Sequence, residues 1–268
     1  MKKIRSLSIL ALLMIGSALA AQTADDVMKK STELAVPEYS TSVLIMDIID
    51  KNGTVTEHRV INQNGNQKTG TDLRQTVFDF RAPASVKDTR LLQAEKVGRE
   101  DDKWIFLPSL KTTRRIAAAE RSKSFVGSEF TYNDMTLRKF EDDAYEMLDS
   151  DVTVNIGGKQ ERLWKIKSTP VQKKNVEYAY LIRYIDKTSY LPLLEEYYDR
   201  NDKLIKLRTV TKHEKVLGET GKEYWLRRES VMENKVTGRT TRVAVEKITF
   251  DKPISDRFFT QNWLNTGK

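Results

Sequence analysis

Three stretches in the middle of the chain decide the fold: KWIFLPSL at 103–110, RRI at 114–116 and SFVGSEFTY at 124–132. The first is typical of a strand that ends at Pro108, because proline cannot donate a hydrogen bond to a neighbouring strand. A basic segment and an aromatic-rich loop follow directly. The irregular region from 108 to 139 is long for a connection without secondary structure, and such connections commonly carry function.

On both sides of this region the sequence predicts strands. Asn52-Gly53 and Gly157-Gly158 are hairpin signals between short apolar and β-branched runs. We count about eleven or twelve strands at short, regular spacing between positions 42 and 250. Several carry apolar residues on both faces, as Leu193 and Leu194 do. Both a strongly curved sheet covered by helices and a two-sheet sandwich account for this pattern.

The N-terminus has the features of an export signal. Basic residues within positions 2–5 precede an apolar run from Leu7 to Ala20, which ends in a small-x-small cleavage site. We therefore predict a signal peptide over 1–20, cleaved near Ala20, and a single periplasmic domain over 21–268.

A helix is predicted immediately after the signal. Thr23 and Asp26 have the spacing of a capping box. Ala24, Val27 and Met28 begin an apolar helical face that continues to about position 35. Such a helix either covers an open sheet or acts as a mobile lid over a cavity, and the pattern is consistent with both.

The sequence gives no sign of catalytic chemistry. The chain has no cysteine, so it holds no disulfide, thiolate metal site or Cys nucleophile. His58 and His213 stand alone, and neither a nucleophile elbow nor a phosphate-binding loop occurs. Adjacent carboxylates such as Glu195 and Glu196 point to opposite faces of a strand and cannot act as a pair. We expect a protein that is not an enzyme, needs no metal or cofactor and does not bind nucleic acid.

Two neighbouring groups in the irregular region are candidates for binding. Arg114 and Arg115 belong to a basic segment that is either a solvated loop or a contact for a headgroup or partner, since arginine suits phosphate. Without the signal's three basic residues, 43 of the 46 remain against 38 acidic ones, a formal charge of +5 that suits an anionic partner. The next group belongs either to the core or to the mouth of a pocket; it comprises Phe125, Phe130, Tyr132 and Met135.

Together these elements resemble the outer-membrane lipoprotein-sorting family, the LolA/LolB-like periplasmic carriers, in its longer branch. The most specific elements are Trp-x-x-Leu-Pro-x-Leu from Trp104 and Phe-x-Gly-Ser-x-Phe-Thr-Tyr from Phe125, supported by DKTSYLPL at 186–193. The resemblance covers nearly the whole chain after the signal. It implies a mainly β fold, in which a curved antiparallel sheet forms an incomplete, half-open β-barrel with helices on its concave side.

The resemblance also implies a function. The protein would shelter the acyl chains of a lipoprotein or lipid in an apolar cavity during transport towards the outer membrane, with this cargo and an inner-membrane exporter or outer-membrane acceptor as partners. The alternative is an accessory or sensor module of an RND-type exporter or envelope-stress system. Arg114 and Arg115 are the candidates for headgroup or partner contact. The candidate acyl-binding residues are Trp104, Phe106, Leu110, Phe125, Phe130, Tyr132 and Met135.

Overall fold

The computed structural model describes residues 22–67, 71, 73–136, 138–173 and 176–268. The predicted signal peptide and its cleavage near Ala20 lie outside these residues. The described part of the chain forms thirteen strands and two α-helices. Within it, neither helix has the length and apolar character needed to span a bilayer.

Two short helices flank a long run of strands. The helices are α1 (Ala24–Thr32) and α2 (Gln261–Thr266), and single 3-10 turns occur at Ala118–Glu120, Phe140–Asp142 and Asp256–Phe259. The strands of the first half are β1 (Tyr39–Ile49), β2 (Val55–Gln67), β3 (Arg74–Ala82), β4 (Arg90–Ala94), β5 (Asp102–Leu107) and β6 (Thr112–Arg115). The strands of the second half are β7 (Asp143–Ile156), β8 (Lys159–Pro170), β9 (Tyr180–Asp186), β10 (Pro192–Tyr198), β11 (Leu204–Leu217), β12 (Glu223–Asn234) and β13 (Thr240–Phe250).

All thirteen strands belong to one antiparallel sheet made of two meanders. Strands β1 to β6 pair in chain order, and residues 116–142, the crossing segment, then pass to the opposite edge of the sheet. Strands β7 to β13 return from that edge until β13 pairs with β1 at a central seam. Because β6 and β7 lie at opposite edges and do not pair, the sheet is not closed into a barrel, and this arrangement is consistent with a curved, half-open sheet. The predicted fold class is confirmed.

The structure differs from the predicted elements at three places. Strand β6 lies in the region predicted to be irregular, because a short strand of polar residues has no alternation of apolar and polar positions to reveal it. The second difference is a bulge within β7, where the register with β8 shifts between Asp149 and Val152. The third difference is the helix α2, which is not among the predicted elements. It begins after Thr260, whose hydroxyl accepts a hydrogen bond from the Trp263 N–H at 3.1 Å.

Helix α1 and the crossing segment cover the concave face of the sheet. The predicted capping box is confirmed, since Thr23 Oγ1 accepts from the Asp26 N–H at 3.1 Å and the Asp26 carboxylate accepts from the Thr23 N–H at 3.0 Å. Met28 packs in one buried cluster with Ile185 of β9. Leu181 points to the same face of β9 and packs in the cluster that contains the crossing segment.

Helix α2 covers the opposite, convex face of β3 to β5. Val77 and Leu92 are direct neighbours in the ladder and pack in one cluster with Trp263 and Leu264. Phe78, the next residue of β3, points to the concave face and packs with the crossing segment. This half of the sheet is therefore covered on both sides.

Candidate functional site

The hollow of the first half is filled by aromatic side chains of the crossing segment. Phe125 is 1% exposed, and the centroid of its ring lies 5.5 Å from that of Phe78 and 5.9 Å from that of Phe80. Phe130 and Tyr132 are buried in the same cluster. Edge-to-face and tilted contacts at these separations are favourable for aromatic rings. The concave apolar surface is thus covered by the chain itself.

The crossing segment is attached to the sheet mainly by side-chain contacts. Arg59 Nη1 of β2 donates to the Val126 carbonyl at 2.6 Å, and the Glu129 N–H donates to Thr241 Oγ1 of β13 at 2.9 Å. The Glu129 carboxylate also accepts from Asn234 Nδ2 at 2.8 Å. None of these contacts is part of a strand ladder, so the segment is bound to the sheet less extensively than a strand would be.

A polar cavity of about 400 Å³ occupies the hollow of the second half. It lies between α1, the turn from β4 to β5, the end of the crossing segment and strands β9 to β12. Eight of its 23 lining residues are Lys or Arg and five are Asp or Glu. Most cavities that hold apolar ligands have predominantly apolar walls. These walls suit a charged or polar group better than an acyl chain.

A buried carboxylate joins two arginines on the floor of this cavity. Glu195 of β10 lies directly opposite Arg183 of β9 and Arg208 of β11, so all three side chains point to the same face. Glu195 Oε1 lies 3.2 Å from Arg183 Nε, and Oε2 lies 3.1 Å from Arg208 Nη1. Burial raises the pKa of Glu195, but the charges of Arg208 and Arg183 outweigh it and hold that pKa below its ordinary value.

Arg227 of β12 borders the same cavity without a partner. No hydrogen bond or ion pair joins its side chain to another residue that the structure describes, and its Nε is buried. Burial and the nearby charge of Arg208 lower the pKa of Arg227 to about 10, although the charge of Glu195 opposes the shift. The cavity therefore contains a guanidinium whose charge is only partly offset.

Lys103 of β5 is a second buried cation at the cavity, and this residue is only 1% exposed. Its Nζ donates to Gln93 Oε1 and to Thr136 Oγ1, both neutral groups. Burial lowers the pKa of Lys103 from 10.5 to about 7, although the charge of Asp101 opposes the shift. The amine of Lys103 is therefore only partly protonated near pH 7.

The pH dependence of stability tests this lowered pKa. Relative to a Lys103→Met variant, the wild-type free energy of unfolding is expected to rise by about 2 kcal/mol between pH 7 and pH 9. The folded protein binds fewer protons at Lys103 than the unfolded chain in this window, so raising the pH stabilises the folded form. Urea titrations of both proteins at each pH measure the difference, and a difference independent of pH would show that Lys103 titrates normally.

The structure brings together part of the predicted acyl-binding set. Phe125, Phe130 and Tyr132 lie in the buried concave cluster. Met135 lies at the border between that cluster and the polar cavity, because it packs against the first and lines the second. These four residues share one side of the sheet.

The remaining predicted residues lie elsewhere. Trp104 and Phe106 alternate with the inward Ile105 and pack against α2 on the convex face. Leu110 is 65% exposed in the turn after β5. An acyl-binding role for these three residues stays a prediction, and the structure does not place them at the same hollow as Phe125.

The two predicted headgroup arginines lie on the edge strand β6. Arg114 Nη1 donates to Glu120 Oε2 at 2.9 Å, and Arg115 Nη2 donates to Asp102 Oδ1 at 2.9 Å. Both side chains are about half exposed, and neither lines the polar cavity. Their contact with a headgroup or partner stays a prediction.

The sequence analysis missed the charged floor of the cavity. Arg183 lies between Leu181 and Ile185 at the inward positions of β9. A single charged residue among inward apolar positions indicates a buried ion pair or a polar site, and this pattern could have revealed the floor. The expectation that Glu195 and Glu196 point apart is confirmed, because Glu196 accepts from the hydroxyls of Tyr184 and Tyr198 instead.

Comparisons with known proteins agree with this architecture. A family model described as "Uncharacterized protein" matches residues 72–266. The structure of an outer-membrane lipoprotein-sorting protein domain from Vibrio parahaemolyticus is 25% identical, covers 90% of this chain and 98% of its own, and has a TM-score of 0.78. No curated protein matches the chain in sequence.

Two further structures share the fold. A DUF1329 family protein from Desulfovibrio piger ATCC 29098 is 22% identical with a TM-score of 0.79, covering 90% of this chain and 97% of its own. A LolA superfamily protein from Nitrosomonas europaea is 17% identical with a TM-score of 0.63, covering 91% of this chain and 100% of its own. The chain therefore belongs to the family whose model matches residues 72–266, and its half-open sheet has the fold of the outer-membrane lipoprotein-sorting and LolA superfamily structures.

Proposed function

We propose that this protein is a non-enzymatic periplasmic carrier that shelters the acyl chains of a lipid or lipoprotein in the hollow of its half-open barrel. The main support for this proposal is the way in which the crossing segment covers that hollow. Its apolar floor is covered by the crossing segment, and around Val126 and Glu129 this segment is bound to the sheet by side-chain hydrogen bonds and not by a strand ladder. A cover of this kind can leave while the sheet remains intact.

The energetics favour an exchange of the cover for cargo. Moving Phe125, Phe130 and Tyr132 away would expose the apolar surface beneath them, including Phe78 and Phe80. Acyl chains that took their place would keep that surface from water, and each buried CH₂ contributes about 0.8 kcal/mol. The acyl chains would occupy the space of the aromatic cover, because the walls of the existing cavity are charged.

A covalent lock on the crossing segment tests the exchange. The Glu129 N–H lies 2.9 Å from Thr241 Oγ1, so we choose these two positions for a disulfide cross-link, and the chain has no native cysteine to interfere. The oxidised Glu129→Cys/Thr241→Cys variant is expected to bind a dansyl-labelled fatty acid at least about tenfold more weakly than the same protein after reduction, since the closed form no longer opens.

The two single-cysteine variants are the controls for this experiment. They carry the same substitutions without a cross-link, so their fluorescence titrations should not respond to reductant. Mass spectrometry establishes that the disulfide has formed. If the oxidised double variant binds the fatty acid as tightly as the reduced one, the crossing segment does not move to admit cargo and the proposed site is wrong.

A further inference from the structure

Two buried carboxylates, one on the cavity floor and one beside the cavity, are already engaged by three arginines. Asp143 lies 2.6 Å from Arg138 Nη2 and 3.5 Å from Arg183 Nη1. Glu195 is shared between Arg183 and Arg208, at 3.2 and 3.1 Å. Both carboxylates are almost completely buried. Neither carboxylate forms an ion pair with Arg227.

A third carboxylate at the cavity is also occupied. Asp134 Oδ2 accepts from the Thr131 N–H at 2.6 Å and from the Thr131 hydroxyl at 2.8 Å. The Tyr197 hydroxyl donates to Asp134 Oδ1 at 3.4 Å. Arg227 therefore remains as the guanidinium without a hydrogen-bonded or ion-paired partner among the described residues.

A guanidinium that is only partly compensated is costly at this position for the folded protein. Its Nε is buried, and the like charges of Arg208 and Arg183 oppose its protonation, while the charge of Glu195 favours it. A buried charge normally requires a partner of opposite sign. Arg227 would gain that partner from an anion in the cavity, and the planar guanidinium matches the two oxygens of a phosphate or carboxylate.

We propose that the polar cavity binds a phosphate or carboxylate group on Arg227 and Arg208. This inference rests on the proposed carrier function, because it assigns the cavity to the headgroup of an anionic amphiphile whose tail enters the aromatic hollow. The two compartments adjoin: Leu181, Tyr197 and Met135 each line the cavity and also pack in the apolar cluster. One molecule can therefore reach both.

Three probes separate the headgroup from the tail. Dodecyl phosphate has both, dodecanol has the tail alone and inorganic phosphate has the anion alone. In calorimetric titrations of the wild-type protein, below the concentration at which dodecyl phosphate forms micelles, we expect it to bind about tenfold to a hundredfold more tightly than dodecanol. Binding of dodecyl phosphate should weaken with salt, as expected for a charge contact that retains access to water.

Arg227→Gln is the decisive variant and Arg228→Gln its matched control. The first substitution removes a charge without an ion pair and leaves the ion pairs of Glu195 and Asp143 intact, so the protein should fold and melt at a higher temperature than the wild type when no anion is present. Arg228 is the adjacent residue, but its guanidinium binds Glu214 and the Val245 carbonyl outside the cavity. We expect Arg227→Gln to remove the advantage of dodecyl phosphate over dodecanol and Arg228→Gln to preserve it.

The outcomes distinguish the two proposals. If inorganic phosphate binds in an Arg227-dependent manner while dodecanol does not bind, the anion site is supported with a free anion as its ligand, and the carrier function fails. If dodecanol and dodecyl phosphate bind equally well to the wild type and to Arg227→Gln, the carrier function stands and the anion site is overturned. Loss of dodecyl phosphate binding in both arginine variants alike would also overturn it.

Discussion

Replacing Glu195 with Gln is expected to lower the free energy of unfolding by about 3–5 kcal/mol. The substitution removes the negative charge shared by Arg183 and Arg208, and with Arg227 nearby it leaves three close guanidiniums with reduced compensation. Glutamine keeps the size of the side chain, so the loss reports the charge and not a cavity. Denaturant titrations at pH 7 measure the change.

Glu196→Gln is the matched control for this prediction. Glu196 is adjacent in the chain but points to the other face, where it accepts hydrogen bonds from Tyr184 and Tyr198. Its replacement should cost much less, because the amide oxygen keeps one of these hydrogen bonds, the amide NH₂ can donate to the oxygen of the other tyrosine, and no ion pair is lost. The pKa of Glu195 is lowered in the folded protein, so its contribution is present above the ordinary carboxyl pKa and is lost as the pH falls. Equal losses for the two variants would refute the role assigned to Glu195.

Replacing Phe125 with Ala is expected to lower the free energy of unfolding by about 3–5 kcal/mol, because it leaves a void in a close-packed aromatic cluster. The ring that is lost contacts Phe78, Phe80 and Tyr132. Leu110→Ala removes an apolar side chain that is 65% exposed, so its cost should be within about 0.5 kcal/mol. Both proteins can be compared by the same denaturant titration.

The Phe125→Ala variant also tests whether Phe125 covers the hollow or lines the site of bound cargo. If Phe125 covers the hollow and leaves when cargo enters, Phe125→Ala destabilises only the closed form. Each 1.4 kcal/mol lost by that form then raises the apparent affinity for a fatty acid by about tenfold. If the ring instead remained in contact with bound cargo, its loss would weaken binding. A fluorescence titration in which the variant binds more weakly would contradict the proposed exchange.

The sequence predicts the sheet well and the cavity poorly. Hairpin signals such as Asn52-Gly53 act between neighbouring strands, so strand pairing follows from local patterns. The local pattern around Phe125 fits both a core position and the mouth of a pocket, and the structure shows that this residue is buried. The convex position of Trp104 depends on α2, which packs against it from more than 150 residues away in the chain and therefore has no local signature.

The charged floor illustrates the same limit. Glu195 meets Arg183 and Arg208 because three consecutive strands have one particular register, and that register shifts at irregularities near Pro192 and Tyr198. A slip of one residue would send these side chains to the opposite face. The contact of Lys103 with Thr136 depends likewise on the path of the crossing segment, which no periodic pattern specifies.

The central seam has a consequence for the order in which the protein folds. Ser40 of β1 pairs with Phe250 of β13. Because β1 is synthesised first and β13 last, β1 can pair on this side only after the whole sheet has been synthesised. Contacts between such distant positions require the closure of a long loop, and topologies rich in them fold slowly. Until β13 docks, the seam edges of β1 and β12 are exposed templates for pairing with other chains. A chain shortened before Thr240 should therefore aggregate, although it retains almost all of the residues that form the hollow.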